Sequence, residues 1–205
     1  MKRKDSILKT ALAVFNKMGY EHVSTYDISR KLKISQGNLT YHFPTKKHLI
    51  NSLAKKMIAE IDEFVLEVES DFSIKTFYNN LYKTFTVNMK YRFIYMNYGQ
   101  IVLNDSDLNK YFIQNSKRRK ELLSLILNKL IENGYLESED ILAENDWLAD
   151  VINLIAIYWV PEAAIYHADK SHDEIIKHHL RLIFMQFHPY LTKKGWGAIN
   201  ELKID

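Results

Sequence analysis

The segment Thr25–Lys46 predicts two short helices joined by a tight turn and followed at once by a third helix. Thr25 and Ser35 are each placed to cap a helix, because a hydroxyl oxygen accepts a free N–H of the first turn. Leu39 and Phe43 are spaced i, i+4, which buries one stripe of the second helix and turns its other side outward. This restricts the N-terminal part of the chain to a small helical unit with one exposed helix.

The outward side of that exposed helix carries hydrogen-bonding groups and no carboxylate. Its members are Gln36, Asn38, Thr40, Tyr41 and His42, and Lys46 and Lys47 follow shortly after. Amide side chains can bond an adenine edge in pairs, which discriminates between bases by about 1–3 kcal/mol, while Lys and Tyr can contact phosphates. The pattern predicts a helix that lies in the major groove of DNA. The alternative is a set of ordinary polar surface residues.

Charge is divided unequally along the chain. Residues 1–50 contain 10 Lys or Arg and 3 Asp or Glu, whereas the remaining residues contain 18 and 22. A basic N-terminal segment followed by a mildly acidic remainder indicates that the N-terminal segment binds a polyanion. A basic face that is merely solvated would give the same count.

Composition limits the class of protein. Only 6 Gly and 3 Pro interrupt the 205 residues, which predicts a mostly helical chain with short turns. The absence of Cys excludes disulfides, thiolate metal sites and a cysteine nucleophile, and it suits a reducing cytoplasm. The basic segment MKRKDSILKT lacks the apolar stretch of a signal peptide. The apolar run Val151–Val160 is shorter than the ~20 residues that cross a membrane, so we expect a soluble, cytoplasmic protein.

Apolar spacing predicts helices over the rest of the chain as well. The first helix is expected to begin at a cap on Asp5 or Ser6 and to end at Gly19, which supplies a positive φ. A long helix from Lys46 to about Glu67, capped by Thr45, connects the head to the body. Further helices are predicted from Ser73, over Asp107–Asn133, from Asp146 to a kink or an end at Pro161, over Asp173–His188, and in the tail after Tyr190.

The predicted helix after Asp146 is apolar on nearly every side. A soluble helix of this kind must be covered on both faces, and the chain has few elements left to cover the second one. We therefore expect a homodimer through the helices at about 146–166 and 173–188. With their counterparts in the second subunit, these helices would form a four-helix bundle.

Ile7–Leu49 resembles the TetR family of one-component bacterial transcriptional regulators. The matching residues are ILKTALAVFNKMGY, a Thr, DIS-x-x-L-x-IS-x-GNL-x-YHF and PTK. The resemblance implies an all-α fold, with an N-terminal three-helix helix-turn-helix DNA-binding domain (1–48, the head) and a larger helical effector-binding and dimerisation domain (49–205, the body). It also implies a homodimer in which each head places its third helix in the major groove of a double-stranded DNA operator.

The resemblance carries DNA contacts onto this sequence position by position. Gln36, Gly37 and Asn38 match the base-facing start of the recognition helix, whereas Tyr41, His42 and Lys46 match phosphate or groove-edge positions. The full expected set is Thr25, Tyr26, Ser35, Gln36, Gly37, Asn38, Thr40, Tyr41, His42 and Lys46. Two residues depart from the family pattern. Lys33 replaces the usual Gly of the turn, which either strains the turn or requires a positive φ, and Thr40 replaces a common Tyr.

Aromatic residues of the body are candidates for an effector pocket. They are Phe77, Tyr78, Phe85, Tyr95, Tyr98, Trp159 and Tyr166. Together they can line a largely apolar pocket with a few hydroxyls, which the resemblance places between the helices that follow Ser73 and Asp146. The alternative for each is core packing, the usual role of aromatics at helical spacing. The charge run Lys117–Lys120 is interpreted as a solvated face.

The sequence indicates no metal, no cofactor and no enzymatic reaction. The histidines His167, His172, His178, His179 and His188 form no HExxH pattern. GxSxG, GxxxxGK and GxGxxG motifs are absent as well.

These features together predict a ligand-responsive, sequence-specific DNA-binding regulator, a repressor released by a small-molecule effector. Effector binding would shift the population toward a head spacing that no longer matches two major grooves about 34–36 Å apart, with the helix from Lys46 as transmitter. The alternative is a DNA-anchored adaptor whose body binds a protein partner and no small molecule.

Overall fold

The computed structural model describes residues 2–65 and 72–202, with the backbone alone at residues 2, 65 and 138–146. These residues form eleven α-helices and one isolated antiparallel β-bridge, between Leu136 and Leu191. The predicted all-α fold, with a helix-turn-helix head and a larger helical body, is confirmed. The helices are α1 Lys2–Met18, α2 Thr25–Leu32, α3 Gln36–His42, α4 Lys46–Val65, α5 Ile74–Lys90, α6 Arg92–Met96, α7 Tyr98–Leu103, α8 Ser106–Glu132, α9 Ser138–Tyr166, α10 His172–Met185 and α11 Lys193–Glu201.

The first helix begins earlier than the sequence predicts. α1 starts at Lys2, ahead of the expected cap at Asp5 or Ser6, because Lys and Arg are good helix formers and let the helix continue toward the N-terminus. It ends as predicted at Gly19, whose φ is 78°. Ile7, Ala11 and Phe15 lie on its buried side and hold α1 in the core of the head.

The caps of α2 and α3 differ in how well the sequence predicts them. Ser24, not Thr25, caps α2, because Ser24 and Asp27 form a reciprocal capping box. The Asp27 amide donates to Ser24 Oγ at 3.2 Å, and the Ser24 amide donates to the Asp27 carboxylate at 2.9 Å. Ser35 caps α3 as predicted and accepts from the Asn38 amide at 3.2 Å.

α4 connects the head to the body without a break. Thr45 Oγ1 accepts from the His48 amide at 3.4 Å, as expected of the residue before the helix. Leu49, Leu53 and Met57 are buried along its inner side, where α4 packs on α1 and α5. The predicted domain boundary between residues 48 and 49 falls inside this helix and stays a prediction. The predicted helix end near Glu67 lies outside the described residues.

Two long helices of the body, α5 and α8, begin within one residue of their predicted starts. Ser73 Oγ accepts from the Thr76 amide at 3.1 Å at the start of α5. Asp105 Oδ1 accepts from the Leu108 amide at 3.2 Å at the start of α8. α8 is followed by Gly134, whose φ of 72° allows the chain to turn back.

The prediction that α9 starts at Asp146 is wrong. The helix begins at Ser138, and Pro161 lies inside it rather than at its end. Ser138 is followed by acidic residues, a composition typical of a helix N-terminus. The spacing of apolar residues does not reveal this start, because the first turns of the helix are mostly polar. The apolar part of α9 is therefore longer than the run Val151–Val160 indicates.

By length and composition alone, Trp147–Tyr166 could cross a membrane, with a mean hydropathy of 1.5. The apolar segment is therefore longer than the run Val151–Val160 counted from the sequence. One side of the segment belongs to the core of the body, because Leu148, Ile152 and Trp159 are buried there. Its other side is exposed, as the prediction of an uncovered face requires.

The C-terminal helices are both capped by hydroxyls. α10 begins at His172 after a capping box between Ser171 and Glu174, and it ends at Met185, short of the predicted His188. A 3-10 turn, His188–Tyr190, places Pro189 in its interior and ends the run. The predicted short helix in the tail is confirmed as α11. Thr192 caps it, accepting from the Gly195 amide at 3.0 Å.

Candidate DNA interface and effector cavity

The turn between α2 and α3 places Lys33 in the left-handed region, with φ 55° and ψ 43°. Its amide donates to Arg30 O at 3.1 Å, and the Ile34 amide donates to Ser29 O at 3.1 Å. A Gly would adopt this backbone without the steric cost that the Cβ of a lysine brings. Of the two predicted outcomes for Lys33, the structure shows the positive φ.

α3 presents its polar side to solvent while Leu39 is buried beneath it. Gly37, Asn38 and Tyr41 are exposed, Tyr41 to 84%. The ring of half-buried His42 lies edge-on to that of Tyr41, with 5.2 Å between centroids. The helix is therefore accessible both at its predicted base-facing start and at its C-terminal end.

Gln36 is half-buried because its side chain turns back onto α2. Its Nε2 donates to Thr25 Oγ1 at 2.8 Å, and its Oε1 is enclosed with no hydrogen-bond partner among the described protein atoms. Thr40 Oγ1 donates to the carbonyl oxygens of Gln36 at 3.1 Å and Gly37 at 3.2 Å. The Thr40 hydroxyl hydrogen is thus engaged within α3, whereas Thr25 and Gln36 meet across the turn.

Lys46 lies in a shallow hollow beside the start of α2 that Thr25 and Thr45 also line. Lys46 Nζ donates to Glu21 O at 3.3 Å and lies 5.0 Å from the centroid of the Tyr20 ring. Burial lowers the pKa of Lys46, and the nearby carboxylate of Glu21 opposes this shift. The structure brings together Thr25 and Lys46, two residues expected to contact phosphate.

Tyr26 and Ser35 complete the expected set on the outer side of the head. Both are exposed, and the Arg30 guanidinium lies 6.0 Å from the centroid of the Tyr26 ring. This contact is long and leaves the ring open to solvent. All ten expected positions therefore lie on α2, α3, the turn between them or the start of α4.

Polar contacts that the sequence did not reveal join the head to the body. Lys47 Nζ pairs with Asp105 Oδ1 at 3.3 Å. Asn16 Nδ2 donates to Lys90 O at 2.8 Å, and Asn16 Oδ1 accepts from the Phe93 amide at 3.1 Å. The partners are far apart in sequence, so no local pattern marks them. They connect the C-terminal end of α1 and the start of α4 to body residues at the ends of α5, α6 and α8.

A cavity of about 230 Å³ lies between α4, α5, α8 and α9. Most of its wall is apolar: Ile61, Phe77, Leu81, Leu122, Leu123, Ile126, Ala149, Ile152 and Ala156. The polar lining residues are Asp62, Asn80, Thr84, Asn88, Arg118, Arg119, Lys120 and Asn153. An apolar wall with a few polar groups suits a small organic ligand.

The predicted pocket aromatics are divided between the cavity wall, the core and the surface. Phe77 lines the cavity, whereas Phe85 and Trp159 stack in the core with 4.8 Å between ring centroids. Tyr78 is half-buried beside α10, and Tyr166 is 70% exposed at the end of α9. Of these five residues, Phe85 and Trp159 therefore pack in the core, as the alternative interpretation predicts.

Tyr95 and Tyr98 lie behind the cavity, next to one of its lining residues. Their rings stack with 6.4 Å between centroids, and the Tyr95 hydroxyl donates to Asn88 Oδ1 at 2.6 Å. Burial raises the pKa of Tyr95 to about 12 against the opposing charge of Arg119. Burial raises the pKa of Tyr98 as well, again opposed by Arg119.

Arg119 is the cavity residue that the sequence interpretation missed. It belongs to the run Lys117–Lys120, which was assigned to a solvated face, yet its Nη2 atom is enclosed and has no hydrogen-bond partner among the described protein atoms. A signal was available, because Arg119 lies midway between buried Phe112 and Ile126 at heptad spacing. Such spacing places all three on one side of the helix.

Three histidines and Glu162 meet where α9 ends and α10 begins. Buried His179 places Nε2 2.8 Å from Glu162 Oε2 and Nδ1 2.8 Å from Ile175 O. The rings of His167 and His178 are 4.7 Å apart. Among the side chains described for residues 3–64, 72–137 and 147–202, no group of three or more His, Asp or Glu is arranged to hold a metal ion.

Two family models match this chain. The model described as bacterial regulatory proteins of the tetR family covers residues 7–53, and the model described as bacterial transcriptional repressor covers residues 56–198. The chain belongs to the TetR family. It is a DNA-binding transcriptional regulator and not an enzyme.

Relatives of this TetR-family chain include IcaR of Staphylococcus aureus (strain Newman), a negative transcriptional regulator of the biofilm operon icaADBC. The two are 27% identical over 157 residues, which cover 76% of this chain and 79% of IcaR. Among solved structures, a TetR-family regulator from Marinobacter aquaeolei VT8 has a TM-score of 0.86 at 23% identity, covering 98% of this chain and 97% of the other. A transcriptional regulator from Saccharomonospora viridis, solved with choline, has a TM-score of 0.72 at 16% identity, covering 94% and 99%.

Proposed function

We propose that this TetR-family protein is a cytoplasmic repressor that leaves its DNA operator when a small-molecule effector binds in the body. The observation that carries the proposal is the exposed, carboxylate-free side of α3 on a basic head, connected by one continuous helix to a body that contains a cavity. Repression is supported by IcaR, which is a negative regulator, and by the description of the family model over residues 56–198.

In the proposed complex, α3 reads bases and its surroundings hold phosphates. Asn38 and Gln36 present amides that suit an adenine edge, and Gly37 lets the backbone approach the groove closely. Gln36 must first leave Thr25, to which it donates at 2.8 Å. The proposed phosphate contacts come from Thr25, Tyr26, Ser35, Tyr41, His42 and Lys46. Thr40 contributes through its methyl group, because its hydroxyl is engaged within α3.

The proposed homodimer uses the exposed sides of α9 and α10. Trp147, Leu154, Tyr158 and Ile165 recur along one side of α9, and all are exposed. Exposed Leu182 and Met185 follow on α10. An apolar surface of this extent is expected to be covered, and two copies of a helix pair form a four-helix bundle. Because TetR-family regulators bind operators as dimers, a second copy is the partner we propose.

The proposed transmitter is α4, because it takes part in both sites. Lys46 at its start lines the hollow beside α2, and Ile61 and Asp62 line the cavity. These positions are about 22–24 Å apart at 1.5 Å per residue, so a small tilt at the cavity displaces the head. The contacts of Asn16 and Lys47 with the body would follow the same movement.

The first experiment is protection mapping of the DNA upstream of the protein's own gene. The expected result is a protected, twofold-symmetric site with half-sites about one helical turn or a multiple of it apart. Binding to all sequences with equal affinity would contradict the proposal of a sequence-specific repressor. Upstream of a reporter, the same site should lower transcription when the protein is present, and a rise would contradict repression.

The transmitter is tested with Lys55→Gly and Ala59→Gly combined, two exposed positions of α4. Each Gly weakens the helix by about 1 kcal/mol, which should uncouple the cavity from the head. We expect DNA affinity to persist while its response to an effector found by thermal-shift screening is lost. The control, Lys55→Ala, shortens the same side chain without softening the helix. An unchanged response in the double-Gly variant would contradict the role of α4.

The second candidate is a DNA-anchored adaptor whose body binds a protein. The exposed apolar side of α9 is the observation that favours it, because a different protein could cover that side as well as a second copy. Sedimentation of the purified protein separates the two proposals. A dimer without added partner supports the sensor, whereas a monomer with a still accessible α9 supports the adaptor.

A further inference from the structure

The lining of the cavity extends along α5 and has a polar end. Its lining residues on α5 run from Phe77 to Asn88, which spans about 16 Å at 1.5 Å per residue. Asn88 Nδ2 donates to Ala156 O at 3.3 Å, and Asn88 Oδ1 accepts from Tyr95, which lies beside Arg119. Asn88, Ala156 and Arg119 therefore lie at one end. The other end is formed by Phe77 on α5 and Ile126 on α8, the lining residues of these two helices that are farthest along the chain from Asn88 and Arg119.

Three cations line this cavity, and two of them are already neutralised. Arg118 pairs with Asp62, and Lys120 Nζ pairs with Asp150 Oδ1 at 3.1 Å. Arg119 has no carboxylate partner among the described residues, and its Nη2 is enclosed without a hydrogen-bond acceptor there. Because an enclosed charged donor without an acceptor is costly, this atom favours the arrival of an acceptor from outside the chain.

The tyrosines around Arg119 do not supply the missing negative charge. Burial raises the pKa of Tyr95 to about 12 and also raises that of Tyr98, so both are neutral phenols near pH 7. Asn88 is engaged with Tyr95 and Ala156 and is neutral in any case. Among the side chains that the structure describes, the polar end of the cavity therefore carries one uncompensated positive charge.

We propose that the effector is a compact monocarboxylic acid with a hydrocarbon body, whose carboxylate binds Arg119 and whose chain lies along the apolar wall toward Phe77. The inference rests on the proposed function, since it names the chemical class of the effector of that same cavity. A guanidinium presents parallel N–H groups that match the two oxygens of a carboxylate. The volume of about 230 Å³ lies below the ~300–1,000 Å³ of drug-sized pockets, which selects a small acid.

Other ligand classes fit this cavity less well. A cation would be repelled by Arg119, and a neutral alcohol would leave the guanidinium charge uncompensated. A dianion such as a phosphate monoester would bring one negative charge more than the cavity neutralises. The apolar wall, in turn, disfavours an acid that is polar along its length.

The test uses three eight-carbon probes that differ only in the head group: octanoate, octan-1-ol and octan-1-aminium. Their dissociation constants for the purified protein are measured by calorimetry at pH 7.5 and low salt. We expect octanoate to bind at least tenfold more tightly than octan-1-ol, and octan-1-aminium to bind more weakly than the alcohol. Equal affinities for octanoate and the alcohol overturn the proposal, as does the absence of binding by all three probes at millimolar concentration.

The residue assignment is tested with Arg119→Met. The ratio of alcohol to octanoate dissociation constants should fall to within about threefold of one, while the affinity for the alcohol changes little. The matched control is Lys120→Met, which removes one positive charge from the adjacent lining residue and should leave the ratio within about twofold of wild type. If Arg119→Met does not fold, Arg119→Lys replaces it. Retaining the charge without the planar fork should reduce the ratio without abolishing it. An unchanged ratio in the Arg119 variant overturns the assignment.

DNA binding is measured separately with the mapped operator, with and without octanoate. If octanoate binds through Arg119 and operator affinity falls, both proposals are supported. If it binds through Arg119 and operator affinity is unchanged, the carboxylate site stands and the ligand-responsive function is contradicted. A molecule other than a carboxylic acid that binds the cavity and releases DNA supports the function and overturns the inference.

Discussion

The head and the body are both helical, but their polar side chains are held in different ways. In the head, Ser24 bonds Asp27 three residues away and Gln36 bonds Thr25 eleven residues away, so both contacts stay within the helix-turn-helix segment. In the body, Tyr82 donates to Asp173 at 2.6 Å across 91 residues, and Arg118 pairs with Asp62 across 56. Short-range contacts hold the exposed helix of the head in place, whereas the body contains a cavity and exposes the apolar side of α9 to solvent.

The largest effect is expected where the body lacks a partner. Leu154→Glu and Tyr158→Glu together would place like charges opposite each other across the proposed twofold axis, at a cost of several kcal/mol. We expect a monomer in sedimentation experiments and a loss of operator affinity of more than a hundredfold. Ile113→Glu, a change at an exposed residue of α8, is the control and should remain dimeric. A dimer that survives the double change would show that this side of α9 is not the interface.

Base readout and phosphate grip in the head should respond differently to substitution. Asn38→Ala should reduce discrimination at one operator position by about 1–3 kcal/mol, because a paired contact with a base edge is lost. Lys46→Ala should weaken binding to all sequences and make the salt slope shallower by about one. Binding titrations on the operator and on random DNA at several salt concentrations distinguish the two. Equal losses on both DNAs for Asn38→Ala would remove it from the readout.

Two capping boxes allow a direct comparison of head and body. Ser24 caps α2 and Ser171 caps α10, each with an acidic residue three positions later. Ser24→Ala and Ser171→Ala should each cost about 1 kcal/mol in the free energy of unfolding. Since α2 belongs to the reading unit, only Ser24→Ala should also lower operator affinity. Chemical denaturation and operator titration give both quantities. A loss of operator affinity with Ser171→Ala would show that the two regions are more tightly coupled than their local contacts indicate.

The smallest effect is expected from the pH dependence of stability that His178 causes. Burial, and then the neighbouring His179 and His167, lower the pKa of His178, and Lys170 adds to this while Glu162 opposes it. The folded state therefore disfavours protonation relative to the unfolded chain, whose pKa is about 6.5. The contribution of His178 to stability is present above that pH and is lost as the pH falls through the lower folded pKa. Between pH 7.5 and 5, the free energy of unfolding should depend less steeply on pH in His178→Asn than in the wild-type protein. An identical dependence would contradict the shift.

Local signals predicted the helices of the head and most caps. Ser35 and Thr45 cap the helices that follow them as expected, because each cap depends only on residues within one turn. The errors also have local causes. The prediction of a cap at Thr25 overlooks the acidic residue three positions after Ser24, which completes a capping box. The predicted start of α9 overlooks the serine and acidic residues from Ser138 onward, because these precede the apolar part of the helix.

The sequence by itself determined the helical class, the exposed polar side of α3 and the excess of apolar surface along α9. Each of these follows from residues a few positions apart, whose geometry a helix dictates. Only the tertiary structure decided that Gln36 is held by Thr25, that Lys47 pairs with Asp105, and that Arg119 lies enclosed at a cavity while its neighbours are neutralised. Whether a charge is paired depends on helices distant in the chain that packing brings into contact, and no local pattern contains that information.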